Sequence, residues 1–180
     1  MLALTRDQES QLVEESRSNL DAFGDLYEYY LPKMYRFAYY RTGNKQVAED
    51  VVAQTFLQAI EALSRYEDRG FSLGCWLYQI AGNIIRTRHR LRSRELSCPG
   101  DKFDADWDMS IEFLPEQISL QKALQTLPDA QQQVLVLRYI QDLSIKEVAQ
   151  IIGRSEGAVK QLAFRGLENM RERMNSFEKQ

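Results

Sequence analysis

Metal and redox sites are built from residues this chain almost lacks. Two cysteines and a single histidine occur among 180 residues. Cys75 and Cys98 are too few for a disulfide framework and have no paired C-x-x-C spacing for zinc, so both are expected to be reduced thiols. His89 stands among arginines with no second histidine at helical spacing. There is also no glycine-rich phosphate loop and no nucleophile with a credible base, which leaves little from which to build an enzyme, and no cofactor is expected. No run approaches the roughly 20 apolar residues that span a bilayer, and the opening MLALTRDQESQ lacks the apolar core of a secretion signal. These absences predict a soluble cytoplasmic protein with no membrane insertion. What the chain does have is 44% hydrophobic residues, enough for buried cores in one domain or two small ones.

A net charge of −3 argues against nucleic acid only until the charges are placed along the chain. Residues 1–94 carry 13 basic and 12 acidic side chains, 95–117 carry 1 and 7, and 118–180 carry 9 and 7. All the negative excess sits in the middle. Two nearly neutral or slightly basic segments therefore flank an acidic connector, and the whole-chain charge does not describe the surfaces that would meet DNA.

The most informative stretch is LSIKEVAQIIGRSEGAVKQLAFRGLENM, residues 143–170. Ser144 with Glu147 forms a capping box, Ile145, Val148, Ala149 and Ile152 make one apolar face, and Gly153 suits the left-handed end of a helix. A second helix starts at once, with Ser155 as N-cap, Glu156 against the positive end of the dipole, and Val159, Leu162, Ala163, Gly166 and Met170 inward. Its other face presents Gly157, Lys160, Gln161, Phe164, Arg165 and Glu168. Lysine and arginine suit phosphate or guanine and glutamine suits adenine, so this helix-turn-helix reads as a major-groove reader; a small bundle with a solvated face is the plainer alternative.

The rest of the chain also has helical periodicity. The first 20 residues are polar, with scattered Leu2, Leu4, Leu12, Val13 and Leu20, and predict one loosely attached helix. From Phe23, the positions Leu26, Tyr27, Tyr30, Leu31, Met34, Phe37 and Ala38 form a wide apolar face, with a kink or restart expected at Pro32 and a stop at Thr42, Gly43 and Asn44. The next helix buries Val47, Val51, Thr55, Phe56 and Ala59 and leaves Glu49, Asp50, Gln54, Gln58 and Glu61 outward, as solvated surface or as a partner-binding stripe. A loop at 64–72 combines Arg65 and Arg69 with Tyr66 and Phe71. Those rings could stack on unpaired bases, but an ordinary loop with its aromatics tucked inward is the favoured reading.

Residues 73–94 bury Trp76, Leu77, Ile80, Ala81 and Ile84, while Gln79, Asn83, Arg86 and Arg90 align opposite. Five arginines in nine residues close this segment, Arg86 to Arg94, more than a helix C-terminus needs and suited to backbone phosphates. Periodicity then fails across 95–117, whose roughly 23 residues could span about 75 Å extended, so the flanking parts could stand well apart. A last group of four short helices begins near Ile118, one ended by Pro128 and the next capped by Asp129 with Gln132. The reading is all-α, two small helical domains joined by an acidic linker, with boundaries at 1–22, 23–94, 95–117 and 118–180.

Three stretches together, AEDVVAQTFLQAIEAL at 48–63, CWLYQIAGNIIRTRHR at 75–90 and LPDAQQQVLVLRYIQDLSIKEVAQIIGRSEGAVK at 127–160, resemble the sigma factors of bacterial RNA polymerase in their two-domain, extracytoplasmic function form. The resemblance covers nearly all of 23–173. It implies that 23–94 is sigma region 2 and 118–180 region 4, with no catalytic chemistry. It implies core RNA polymerase contact by Asp50, Gln54 and Gln58, minus-10 promoter contact by Arg65, Tyr66, Asn83, Arg86 and Arg90 with a base flipped into a pocket, and minus-35 contact by Arg154, Ser155, Glu156, Lys160, Gln161 and Arg165. An anti-sigma factor is a further expected partner. Two departures stand out: Thr87 replaces a common Asp four residues after Asn83, and Gln161 and Leu162 replace a common Ser-Arg after Lys160, so no promoter consensus is transferred. A stand-alone helix-turn-helix regulator is the alternative, and the segment 47–63 discriminates between them because only a polymerase subunit needs it for docking.

Overall fold

The computed structural model describes residues 4–95 and 115–177, with the side chains of 4–91 and 119–174. The expected linker, Cys98, and the Arg92 and Arg94 side chains lie outside these. Eight α-helices make up the described residues: α1 Arg6–Ser16, α2 Asp21–Thr42, α3 Lys45–Ala62, α4 Leu73–Glu95, α5 Pro115–Gln125, α6 Asp129–Leu135, α7 Ile145–Ile152 and α8 Glu156–Phe177. A 3₁₀ turn, Leu63–Arg65, ends α3, and a wider π turn, Val136–Ile140, continues α6. Helices α1–α4 pack on one another as a first half, α5–α8 as a second. None of the described helices is long and apolar enough to cross a membrane.

In the first half, α2 supplies the centre: Phe23, Leu26, Tyr30, Met34, Phe37 and Ala38 are all buried, against Val51, Phe56 and Ala59 of α3 and Leu73, Leu77, Ala81 and Ile85 of α4. The helix runs unbroken through Pro32, with no restart. Pro32 is exposed, so the carbonyl it leaves without a donor can bond water instead.

The N-terminal helix is not loosely attached. Thr5 and Gln8 close a capping box at its start, and its Glu9 is only 6% exposed. One Glu9 carboxylate oxygen accepts from the Tyr30 hydroxyl at 2.7 Å and the other from the backbone N–H of Leu73. A buried carboxylate that caps α4 and binds α2 ties three helices together, and this long-range partnering is invisible to periodicity.

The second half is centred on α8. Val159, Ala163 and Met170 are buried, and Gly166 lies against Leu135, where a Cβ would stand 3.1 Å from the leucine side chain.

The halves also pack against each other, α2 against α5 and the turn after α6, and α4 against α7. Arg41 at the end of α2 is fully buried. Its guanidinium donates to the Asp129 carboxylate at 2.6 Å, the Asp129 carbonyl at 3.2 Å and Gln132 Oε1 at 2.5 Å. The expected Asp129–Gln132 helix cap is thereby corrected: the N-cap position is Pro128, with no side-chain cap, and both side chains turn to the buried cation. The amides of Gln121 and Gln125 donate to the Tyr39 and Tyr40 carbonyls at 2.9 and 3.1 Å, supplying partners to the last turn of α2.

Candidate nucleic-acid and polymerase interfaces

The helix-turn-helix forms as local chemistry dictates. Ser144 Oγ accepts from the Glu147 N–H at 3.2 Å while the Ser144 N–H donates to the Glu147 carboxylate at 2.8 Å. Gly153 turns the chain at φ 65°, a left-handed value that costs glycine nothing. Ser155 Oγ then accepts from the Ala158 N–H at 3.2 Å to open α8. Burying Val159 and Ala163 leaves the opposite face to solvent, so Arg154, Ser155, Glu156, Lys160, Gln161 and Arg165 are all exposed. Arg154, Lys160 and Arg165 form no ion pair with a carboxylate among the described residues, leaving three positive charges available to an external anion. Phe164, on the same face, is 63% exposed.

On α4, Asn83, Arg86 and Arg90 are likewise exposed, with Arg86 donating to Asn83 Oδ1 at 3.3 Å. Gln79, expected on this open face, is instead half-covered. Its amide donates to the Gln150 carbonyl of α7 at 2.8 Å, because the second half lies over that end of the helix. The loop at 64–72 holds its aromatics inward, as the plainer reading has it: the Tyr66 ring packs on Trp76 at 4.8 Å between centroids, and Arg17 clamps the Tyr66 carbonyl at 2.8 Å. Burial pushes the Tyr66 hydroxyl up to about 12, so it stays a donor at neutral pH. Arg65, Tyr66, Phe71, Trp76, Gln79 and Gln150 line a cavity of about 420 Å³ between the loop and α7. Polar groups over an aromatic wall suit an unstacked base.

The outer face of α3 is separate from both. Asp50, Gln54 and Gln58 are exposed at four-residue steps, and Leu57 among them is 57% exposed. Asp50 is within 3.4 Å of Arg88 on α4. An exposed leucine ringed by amides and carboxylates has the make-up of a protein contact, an apolar centre with a polar rim. Nothing in the linear pattern singles out Leu57, although its spacing of seven residues from Asp50 places it on the same stripe.

The structure also brings together what the sequence kept apart. Arg86 of α4 and Arg154 of the reader turn line one cavity of about 290 Å³, with Asp129, Ala130, Gln133 and Ile152. Gly82 of α4 lies against the same wall: a Cβ there would stand 2.7 Å from Gln133 Nε2, and the amide would have to shift. Burial works against the charged Asp129 carboxylate, but Arg41, with His89 and Arg86 behind it, holds it below the usual carboxylate range. Nothing in the sequence pattern marks Arg41, whose place in the last turn of α2 reads as an ordinary complement to the helix dipole.

Comparison with known proteins matches both halves. Residues 26–95 fit the family model described as Sigma-70 region 2, and residues 117–170 that described as Sigma-70, region 4. The chain is 34% identical to the ECF RNA polymerase sigma factor BldN of Streptomyces coelicolor over 89% of this chain and 63% of BldN, so it spans less than two thirds of that relative. It is 29% identical to the ECF RNA polymerase sigma factor SigW of Bacillus subtilis over 91% of this chain and 95% of SigW. Among solved structures, the sigma factor RpoE in complex with the anti-sigma factor NepR from Bartonella quintana is similar with a TM-score of 0.72 at 25% identity, covering 85% of this chain and 96% of that one. CnrH, in complex with the cytosolic domain of CnrY, shares the fold at a TM-score of 0.73 and 24% identity, over 93% of this chain and 97% of that one.

Proposed function

Because the chain belongs to the extracytoplasmic function group of the sigma-70 family, we propose that it joins core RNA polymerase in the cytoplasm and directs it to specific promoters, without catalytic chemistry of its own. In this reading Asp50, Gln54 and Gln58, with Leu57 at their centre, dock on polymerase. Arg65, Tyr66, Asn83, Arg86 and Arg90 engage the minus-10 element, where the wall formed by Tyr66 and Trp76 receives an unstacked base once the second half, whose Gln150 closes that cavity, has moved off it. Arg154, Ser155, Glu156, Lys160, Gln161 and Arg165 engage the minus-35 element in the major groove.

The observation that supports this most is that a chain with both sigma regions presents three separate exposed faces, two cationic and one amide-rich with an apolar centre. A stand-alone regulator has no use for the third. An anti-sigma factor is the proposed restraint on the protein, by analogy with the relative solved in complex with NepR.

Run-off transcription with purified core polymerase on genomic fragments, with and without the protein, tests the proposal. New defined start sites are expected. Absence of polymerase binding would overturn it in favour of the stand-alone regulator.

A further inference from the structure

The seam between the two halves gathers more positive charge than it neutralises. Asp129 is the one acidic residue lining the cavity between Arg86 and Arg154, and it is already committed to the buried Arg41 at 2.6 Å, with His89 Nδ1 3.9 Å from the same oxygen. Neither Arg86 nor Arg154 forms an ion pair of its own among the described residues. Closing the halves therefore sets two exposed arginines on the lining of one cavity with no carboxylate left to pair with them, an arrangement that like-charge repulsion penalises.

An anion with several oxygens reverses that penalty, because the planar fork of each guanidinium can donate paired N–H bonds to a phosphoryl group. Gln133 adds an amide to the same wall. We propose that the cavity between Arg86 and Arg154 is a binding site for a small phosphate-bearing anion, assembled only while the two halves are closed.

This rests on the reading that the same two arginines contact promoter DNA, and it adds a consequence. The minus-10 and minus-35 elements are separate stretches of the duplex, which rises about 3.4 Å with each base pair. Arg86 and Arg154 line a single cavity in the closed form and cannot serve both elements there. A ligand that binds only the closed form shifts the population toward it in proportion to its occupancy. The anion thus opposes promoter binding twice, by occupying two DNA-contacting arginines and by holding the reader helices too close together.

Inorganic pyrophosphate is the probe, titrated into the full chain without polymerase, against sodium chloride matched in ionic strength. Calorimetry should show saturable binding near one to one, and the melting temperature should rise. Arg86→Gln and Arg154→Gln should each weaken the affinity at least tenfold.

The dependence on closure is read from Gln121→Glu and Gln79→Glu, which set carboxylates against the Tyr39 and Gln150 carbonyls across the seam, at residues that do not line the cavity. Whichever of the two keeps its helical circular dichroism and expands by small-angle scattering should also lose pyrophosphate binding at least tenfold. Unchanged binding in Arg154→Gln, in an expanded variant, or a wild-type response equalled by chloride would overturn the site. A protein that starts transcription but ignores pyrophosphate defeats only this inference. One that binds pyrophosphate but neither binds polymerase nor starts transcription defeats the functional reading instead.

Discussion

The two DNA-facing helices are held in opposite ways. The outer face of α8 is open from Glu156 to Arg165, whereas α4 is covered on two sides, by its own half through Leu77, Ala81 and Ile85 and by the second half through Gln79 and Gly82. Closure thus covers the Gln79 end of α4 while Asn83, Arg86 and Arg90 stay exposed. The contrast teaches that the surroundings of a reader helix are set by what packs around it, and that α4, against which the second half lies, is the reader whose access depends on the pairing of the halves.

Breaking the seam tests this contrast hardest. Asp129→Asn leaves Arg41 buried without a charged partner, and with Asp129 itself partly hydrated the closed form should lose about 3 kcal/mol. Small-angle scattering should then show a larger radius of gyration, with Gln79 newly exposed to solvent. The same seam should weaken in acid. The folded Asp129 carboxyl is held below its ordinary range, so its contribution is fully present above about pH 4 and is lost as the pH falls through the lower folded value. Scattering at decreasing pH should show wild type opening, while Asp129→Asn, already open, should not respond.

A second set of substitutions separates the readers. Lys160→Ala and Arg165→Ala should each weaken minus-35-dependent transcription, a base contact costing about 1 to 3 kcal/mol and relaxing preference at one position, a phosphate contact acting on all sequences alike. Arg86→Ala and Arg90→Ala should impair promoter opening more than polymerase binding, measured by permanganate footprinting beside a polymerase pull-down. Equal effects of the two pairs on opening would remove the distinction between the helices. Asp50→Ala with Gln54→Ala should reduce polymerase binding about tenfold without altering either DNA contact, and intact binding would reassign the α3 face to solvent. The smallest effect belongs to the reader turn itself: Ser144→Ala removes one reciprocal cap and should cost about 1 kcal/mol, seen as a lower melting temperature of the second half.

Much of the fold was legible before any coordinates. The capping box at Ser144 and Glu147, the turn at Gly153, the N-cap at Ser155 and the inward stripes of α2, α3 and α8 all rest on contacts three or four residues apart, which a linear pattern records. Within the candidate sites, the exposed faces of α3 and α8 followed from the same periodicity. Leu57 is not legible because a lone leucine in a linear pattern reads as an edge of the core, and the covering of Gln79 is not legible because helical periodicity holds no record of a second half lying across the helix.

The sequence by itself determined an all-α chain, its helix starts and stops, and the residues each helix turns outward, because hydrogen-bonding and burial within one helix are local. Only the tertiary structure decided that Glu9 anchors α1 to α2 and α4, that Asp129 and Gln132 abandon a helix start for Arg41, and that Arg86 and Arg154 line one cavity. Arg41 and Asp129 are separated by 88 residues. Such partners meet because a buried charge cannot be left without a counter-charge, and no periodicity along the chain encodes which distant carboxylate will answer it.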